Sequence, residues 1–176
     1  MYENAGLKNG VLAIQFFTDG TEFYVMEMGH RLTGGQHYTY TKEENGISAL
    51  DFLIHYALTG RMADYNIYER DNARFNNIYC HLFLLGREAK VARIEGFDLL
   101  EKMPETLHVQ LMKNVGDNVG KDGTTAQKMV GLHLKVRNID HLQQVMGFIR
   151  DNIHVYDVDG NDMVLEFDTK VKSLQK

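Results

Sequence analysis

The sequence predicts an α+β protein: an antiparallel sheet with a covering helix, followed by a strand-rich α+β C-terminal domain. Three observations lead there. In the stretch Val11 to Tyr38, two apolar runs flank Thr18-Asp19-Gly20-Thr21, as in a β-hairpin. Ile47, Leu50, Phe52, Leu53, Ile54, Ala57 and Leu58 instead repeat with helical spacing. Beyond a polar stretch at 64–77, several apolar runs alternate as strands do. The domains expected are therefore 1–63, a connector at 64–77, and 78–176.

In chain order, residues 1–10 read as the tail of a helix stopped at Asn9-Gly10, as if the chain began inside a larger fold. The hairpin follows, and then Leu32 to Asn45 reads as a polar loop with Lys42-Glu43-Glu44 solvated. Ser48 is the expected N-cap of the covering helix, Asp51 lies in its first turn and Gly60 ends it. Ile78 to Leu85 and Glu88 to Ile94 flank Gly86-Arg87 and predict a second hairpin. Phe97 to Met103 is a short helix stopped by Pro104, the only proline. Strands are expected over Thr106 to Lys113 and Met129 to Val136, separated by the turn-rich segment 116–125. A helix over Ile139 to Asn152 turns Leu142, Val145, Met146 and Ile149 inward, with Asp140 near its start and Arg150 in its last turn. A last hairpin pairs His154 to Val158 with Asp162 to Phe167 around Asp159-Gly160, and the basic tail from Lys170 frays.

The 176 residues are 44% hydrophobic and 24% charged, enough for one ordinary domain or two small ones. A formal charge of -5 without a Lys/Arg cluster argues against nucleic acid as partner. The single cysteine, Cys80, sits in an apolar run as a structural thiol and points to a reducing cytoplasm. No run reaches the ~18 apolar residues of a membrane span.

The chemistry lies in the hairpin, where Gln15 interrupts one apolar strand and Glu27 stands between Met26 and Met28. A three-residue Asp19-Gly20-Thr21 turn sets Thr18 across from Glu22 and Gln15 across from Val25, making Gln15 and Glu27 diagonal neighbours on one face. A two-residue turn puts them on opposite faces. On a shared face they offer two oxygen donors of the kind Mg²⁺ takes with phosphate and water, or they simply satisfy each other. Arg31 and the amides of Gly34-Gly35 suit a phosphoryl or acyl-phosphate group. Elsewhere, Gly116 to Lys121 has three residues between its glycines and Asp122 after its lysine, which breaks the phosphate-loop pattern. The eight histidines show no metal-ligand spacing.

Gly10-Val11, Gln15-Phe16-Phe17, Asp19-Gly20, Glu22-Phe23-Tyr24, Glu27-Met28-Gly29-His30-Arg31 and Gly34-Gly35 together resemble the distal catalytic hairpin of the ATP-grasp superfamily. The likeness is greatest to carbamoyl-phosphate-synthase large-subunit-like and biotin-carboxylase-like members, whose pattern has an acidic first-strand residue and then Glu-x-Asn-x-Arg. It is dense over residues 8–38, and beyond 75 it is one of layout only. The resemblance implies a carboxylate–amine or carboxylate–thiol ligase using ATP and Mg²⁺ through an acyl phosphate. Glu27 and Gln15 then stand at the metal, Arg31 steadies the transferred phosphate, Gly34 and Gly35 face it, and Phe17 packs on adenine. Two positions depart from the pattern: Gln15 is neutral and Gly29 has no side chain. The resemblance further implies a C-terminal portion, inactive alone, partnered by an upstream ATP-grasp lobe of the same enzyme and by small carboxylate and amine substrates. The alternative is a non-catalytic binding or oligomerisation module, such as a homodimer, derived from that fold.

Overall fold

A computed structural model of the chain describes residues 4, 6–72 and 74–171. The chain divides between Phe75 and Asn76 into two compact units. Both are mixed α and β, and all strand pairing is antiparallel.

The first unit opens with β1 (Ala13–Thr18) and β2 (Phe23–Gly29), a two-stranded sheet. Neither the three-residue nor the two-residue turn considered from the sequence forms, because Thr18 pairs with Phe23 and leaves a four-residue loop. Asp19 builds that loop: its Oδ1 accepts from the Thr21 and Glu22 amides, both at 2.9 Å, and from Thr21 Oγ1 at 2.8 Å. The Gly20 amide donates to Thr18 Oγ1, and its φ of +97° is one glycine adopts without strain. Such a loop alone would set Gln15 against Met26 and put Glu27 on the other face. A bulge corrects this, since Phe16 pairs with Val25 but Gln15 pairs with Glu27, leaving Met26 as the extra residue.

Upstream, Asn4 is in a 3₁₀ turn, but the expected helical tail does not continue over residues 6–10, which form a turn and bends, and residues 1–3 and 5 lie outside the described residues. A Cβ on Gly10 would lie 2.2 Å from His30 Nε2, and that nitrogen is 3.2 Å from the Asn9 carbonyl oxygen. The Asn9-Gly10 pair thus admits a histidine ring instead of ending a helix. The predicted loop 32–45 is also corrected: α1 (Tyr38–Asn45) is helical, closed by Gly46 at φ +74° with its amide on Lys42 O. Helix α2 (Ala49–Thr59) starts and stops as expected, with Ser48 Oγ accepting from the Asp51 amide and Gly60 left-handed. Phe52 and Leu53 are half-buried, but Leu58 is 81% exposed. Lys42 Nζ reaches Asp51 at 2.9 Å and links the two helices.

The second unit contains β3 (Ile78–Leu85), β4 (Val91–Glu95), α3 (Phe97–Lys102), β5 (Thr106–Leu111), β6 (Lys128–Val136), α4 (Ile139–Asn152) and β7 (His154–Asp157). The sheet order is β3-β6-β5, with β4-β7 as a separate pair. Here the predicted hairpin around Gly86-Arg87 fails. The Gly86 amide bonds Gln127 O and the Arg87 amide bonds Met163 O, so the chain crosses from one sheet to the other instead of reversing. Met129 packs against bare Gly86, where a Cβ would lie 2.4 Å from its sulfur. Strand β6 is buried on both faces, and α4 contributes Leu142, Val145, Met146 and Ile149 to the core as predicted. The Asp159-Gly160 turn forms, but its far limb makes isolated bridges at Asp162 and Val164 instead of a strand. Most of the predicted basic tail, from residue 172, lies outside the described residues.

Candidate functional site

The bulge at Met26 assembles a site in the first unit. Directly opposed cross-strand residues hold their Cβ atoms about 5 Å apart on one face, which is the relation of Gln15 to Glu27. Both line a cavity of about 310 Å³ with Arg31, Thr33, Gly34, Gly35 and His37. Arg31 Nη2 lies 3.5 Å from Glu27 Oε1, and its Nη1 donates to the Leu32 carbonyl at 3.1 Å. Both members of the pair are 60% exposed. Solvent screening makes such a pair worth at most about 1 kcal/mol, so its value is positional.

Glycines shape the remainder. A Cβ on Gly29 would lie 3.3 Å from Arg31 Nε, so the arginine folds back over bare backbone. Gly34 and Gly35 occupy a turn closed by the Gln36 amide on Thr33 O at 3.3 Å. The His37 ring covers Gly35, where a Cβ would lie 2.6 Å from Nε2, and His37 Nδ1 stands 3.4 Å from Thr33 Oγ1. The cavity is therefore walled by a carboxylate, an amide and a guanidinium on one side, and by a hydroxyl, an imidazole and two glycines on the other.

Of the residues singled out from the sequence, Gln15, Glu27, Arg31, Gly34 and Gly35 come together here. Phe17 does not line the cavity; it pairs with Tyr24 nearer the loop and is 65% exposed. Thr33 and His37 escaped the sequence reading, although a ring two residues after Gly-Gly has room to lie over the bare backbone. As a Mg²⁺ site, Gln15 and Glu27 fit the small protein share usual for this ion, one carboxylate and one neutral oxygen with phosphate and water completing the shell. Among the described residues no group of three or more His, Cys, Asp or Glu converges as a metal cluster.

The other sequence signals resolve as structure. Gly116 and Gly120 bond their amides to Val91 O and Ala126 O, leaving no phosphate cradle. His55 pairs with Asp64 at 2.9 Å, and the rings of His81 and His133 stack at 4.1 Å. Burial pushes the Cys80 thiol up from its ordinary range, as befits an inert packed side chain. Among the described residues no helix is long and apolar enough to cross a membrane.

No family model and no curated protein matches the sequence. Solved structures do. An L-amino acid ligase from Bacillus licheniformis superposes with a TM-score of 0.67 at 16% identity, over 89% of this chain and 38% of that one. A phosphoribosylglycinamide synthetase from Anaerococcus prevotii gives a TM-score of 0.72 at 13% identity, over 89% of this chain and 39% of that one. The chain thus spans about two fifths of the length of each. At such identities the likeness is one of fold alone, and the chain has the fold of the matching part of these two enzymes.

Proposed function

We propose that these 176 residues supply the metal- and phosphate-handling edge of an ATP-dependent carboxylate–amine or carboxylate–thiol ligase working through an acyl phosphate. The observation that carries this reading is the bulged register that sets Gln15 opposite Glu27, with Arg31 3.5 Å from that carboxylate and Gly34-Gly35 in the same cavity. The hairpin pattern favours the carbamoyl-phosphate-synthase-like and biotin-carboxylase-like type.

In this reading Gln15 and Glu27 hold Mg²⁺, which, when bound, neutralises charge on the phosphate oxygens. Arg31 leaves Glu27 to pair with the transferring phosphoryl group, whose three oxygens a guanidinium fork can grip. A substrate carboxylate oxygen attacks the γ-phosphorus and ADP departs. The amine or thiol then attacks the acyl carbon and expels phosphate. The Gly34-Gly35 amides approach the anion closely, and positioning supplies most of the rate.

The rest of the nucleotide site belongs to an upstream lobe of the same enzyme. Exposed Phe16, Phe17, Phe23 and Tyr24 leave apolar hairpin surface for such a lobe to cover. The 176 residues alone then have no turnover, and Cys80 suits a reducing cytoplasm. One observation favours a second reading, a non-catalytic binding or oligomerisation module: neutral Gln15 and bare Gly29 leave a single carboxylate, Glu27, in the cavity.

Glu27→Gln in the chain joined to its nucleotide-binding lobe decides between the two. ADP release should fall by at least about 10²-fold with the fold unchanged. Unaltered ADP release would remove Glu27 from the chemistry, and no ADP release by the unaltered joined protein would favour the module reading. Micromolar binding of Mg-ATP by the 176 residues alone, measured by calorimetry, would remove the need for the lobe.

A further inference from the structure

We propose that the second unit carries a separate site for a small primary amine, built on the Glu105–His141 pair. The inference is independent of the ligase reading. A cavity of about 330 Å³ opens between the Met103-Pro104-Glu105 segment and α4, where His141, Gln144, Val145 and Phe148 share one helical stripe.

Glu105 Oε1 and His141 Nε2 lie 2.9 Å apart, and each side chain is only 18% exposed. The Arg137 amide donates to His141 Nδ1 at 3.4 Å, so that nitrogen is the acceptor and the ring's proton sits on Nε2, donated to Glu105. Among the described residues, Oε2 of Glu105 accepts no hydrogen bond. A half-buried carboxylate with one donor gains from a second, most of all from a charged one.

No lysine or arginine lines the cavity. Met103, Pro104, Val145 and Phe148 present hydrocarbon beside the carboxylate, and Phe148 is 42% exposed. An ammonium can bond Oε2 while its apolar stem lies on the Phe148 ring. An anion of the same shape meets an uncompensated carboxylate, and a neutral alcohol loses the charge-assisted part of the bond.

Phenethylamine, 2-phenylethanol and 3-phenylpropionate, titrated into the intact chain, test this by carbon-resolved NMR at the Met103 and Val145 methyl groups. The amine should shift both methyls and bind at least about tenfold tighter than the alcohol, and the acid should not bind. Glu105→Gln keeps an oxygen for the His141 proton but removes the charge. It should abolish the amine's advantage and leave the alcohol's affinity unchanged, while Phe148→Ser weakens both. An amine no tighter than the alcohol, shifts confined to other methyls, or full amine affinity in Glu105→Gln would each overturn the proposal. Should Glu105→Gln not fold, the three-ligand comparison on the unaltered chain decides alone.

Discussion

The two units use apolar residues in opposite ways. In the second, Leu84, Leu132, Leu134, Ile149 and Val155 are at most 1% exposed and form one core with β6 at its centre. In the first, Tyr40 and Ile47 are the buried hydrophobic residues among those described, while Phe17, Phe23, Tyr24, Val25 and Met26 are each more than half exposed. Comparable sequence hydrophobicity thus becomes a core in one unit and a surface in the other. Local devices order the first unit: the Asp19 loop, the Ser48 cap and the Gly46 and Gly60 stops. Buried area orders the second. The candidate active site lies in the locally ordered unit, where few packing contacts fix the positions of Glu27 and Arg31.

Amide exchange in the intact chain reads this contrast most strongly. Amides of β6 and α4 should exchange only through global opening, and those of β1 and β2 through local opening, with protection lower by at least about 10³-fold. Equal protection in β2 and β6 would show that the hairpin is held by more than its own pairing. If a nucleotide-binding lobe covers the hairpin, adding it should raise protection in β1 and β2 alone.

Side-chain truncation should give the next largest difference. Ile149→Ala removes a fully buried side chain and should cost about 2–5 kcal/mol in denaturant unfolding followed on the second unit. Leu58→Ala, at a site 81% exposed, should stay within about 0.5 kcal/mol. A loss at Leu58 similar to that at Ile149 would mean that the α2 stripe is covered in solution.

The same contrast explains what the sequence revealed. Helix α4 was legible to the residue because its stripe, first-turn acid and last-turn arginine agree with the packing it finds. Helix α1 was hidden, since Tyr-Thr-Tyr-Thr-Lys-Glu-Glu-Asn has no apolar stripe and is closed by Gly46 and by Lys42 on Asp51. The Gly86-Arg87 hairpin misled because local turn chemistry says nothing about whether β3 prefers β4 or the distant β6. In the site, Gln15, Glu27, Arg31, Gly34 and Gly35 were readable as residue types. Their shared face was one of two alternatives the sequence left open, and it is reached by a route the sequence did not show: a loop longer than either turn and a bulge at Met26 that shifts the register back. Bulge position is decided by the pairing of whole strands, and Met26 itself carries no mark of it.

The smallest effect, and the most specific to the locally ordered unit, is a pH response at the end of α2. The Arg61 carbonyl at 2.8 Å from His55 Nδ1, together with Asp64 at 2.9 Å from Nε2, holds the His55 pKa above its ordinary 6.5, and the same hydrogen bond pulls Asp64 down. A histidine raised in the folded state stabilises below its unfolded pKa and loses that contribution as pH rises through the folded value. Opening of residues 60–64, measured by exchange corrected for its intrinsic pH dependence, should therefore increase from pH 6 to pH 9, while α4 in the second unit does not respond. Asp19 sets the opposite sign. Its carboxyl, drawn down to about 2 by the Glu22 and Thr21 amides and the Thr21 hydroxyl, supports the hairpin loop above the unfolded value near 3.8 and releases it only as pH falls through about 2. Between pH 4 and 9 the loop at the far end of the candidate-site hairpin should thus keep its geometry while the end of α2 loosens. His55→Gln should abolish the response of residues 60–64 and leave the Thr21 and Glu22 amide shifts untouched. A His55 that titrates at or below 6.5 by NMR would show that the Arg61 and Asp64 contacts do not persist in solution, and that this helix end is looser than its hydrogen bonds require.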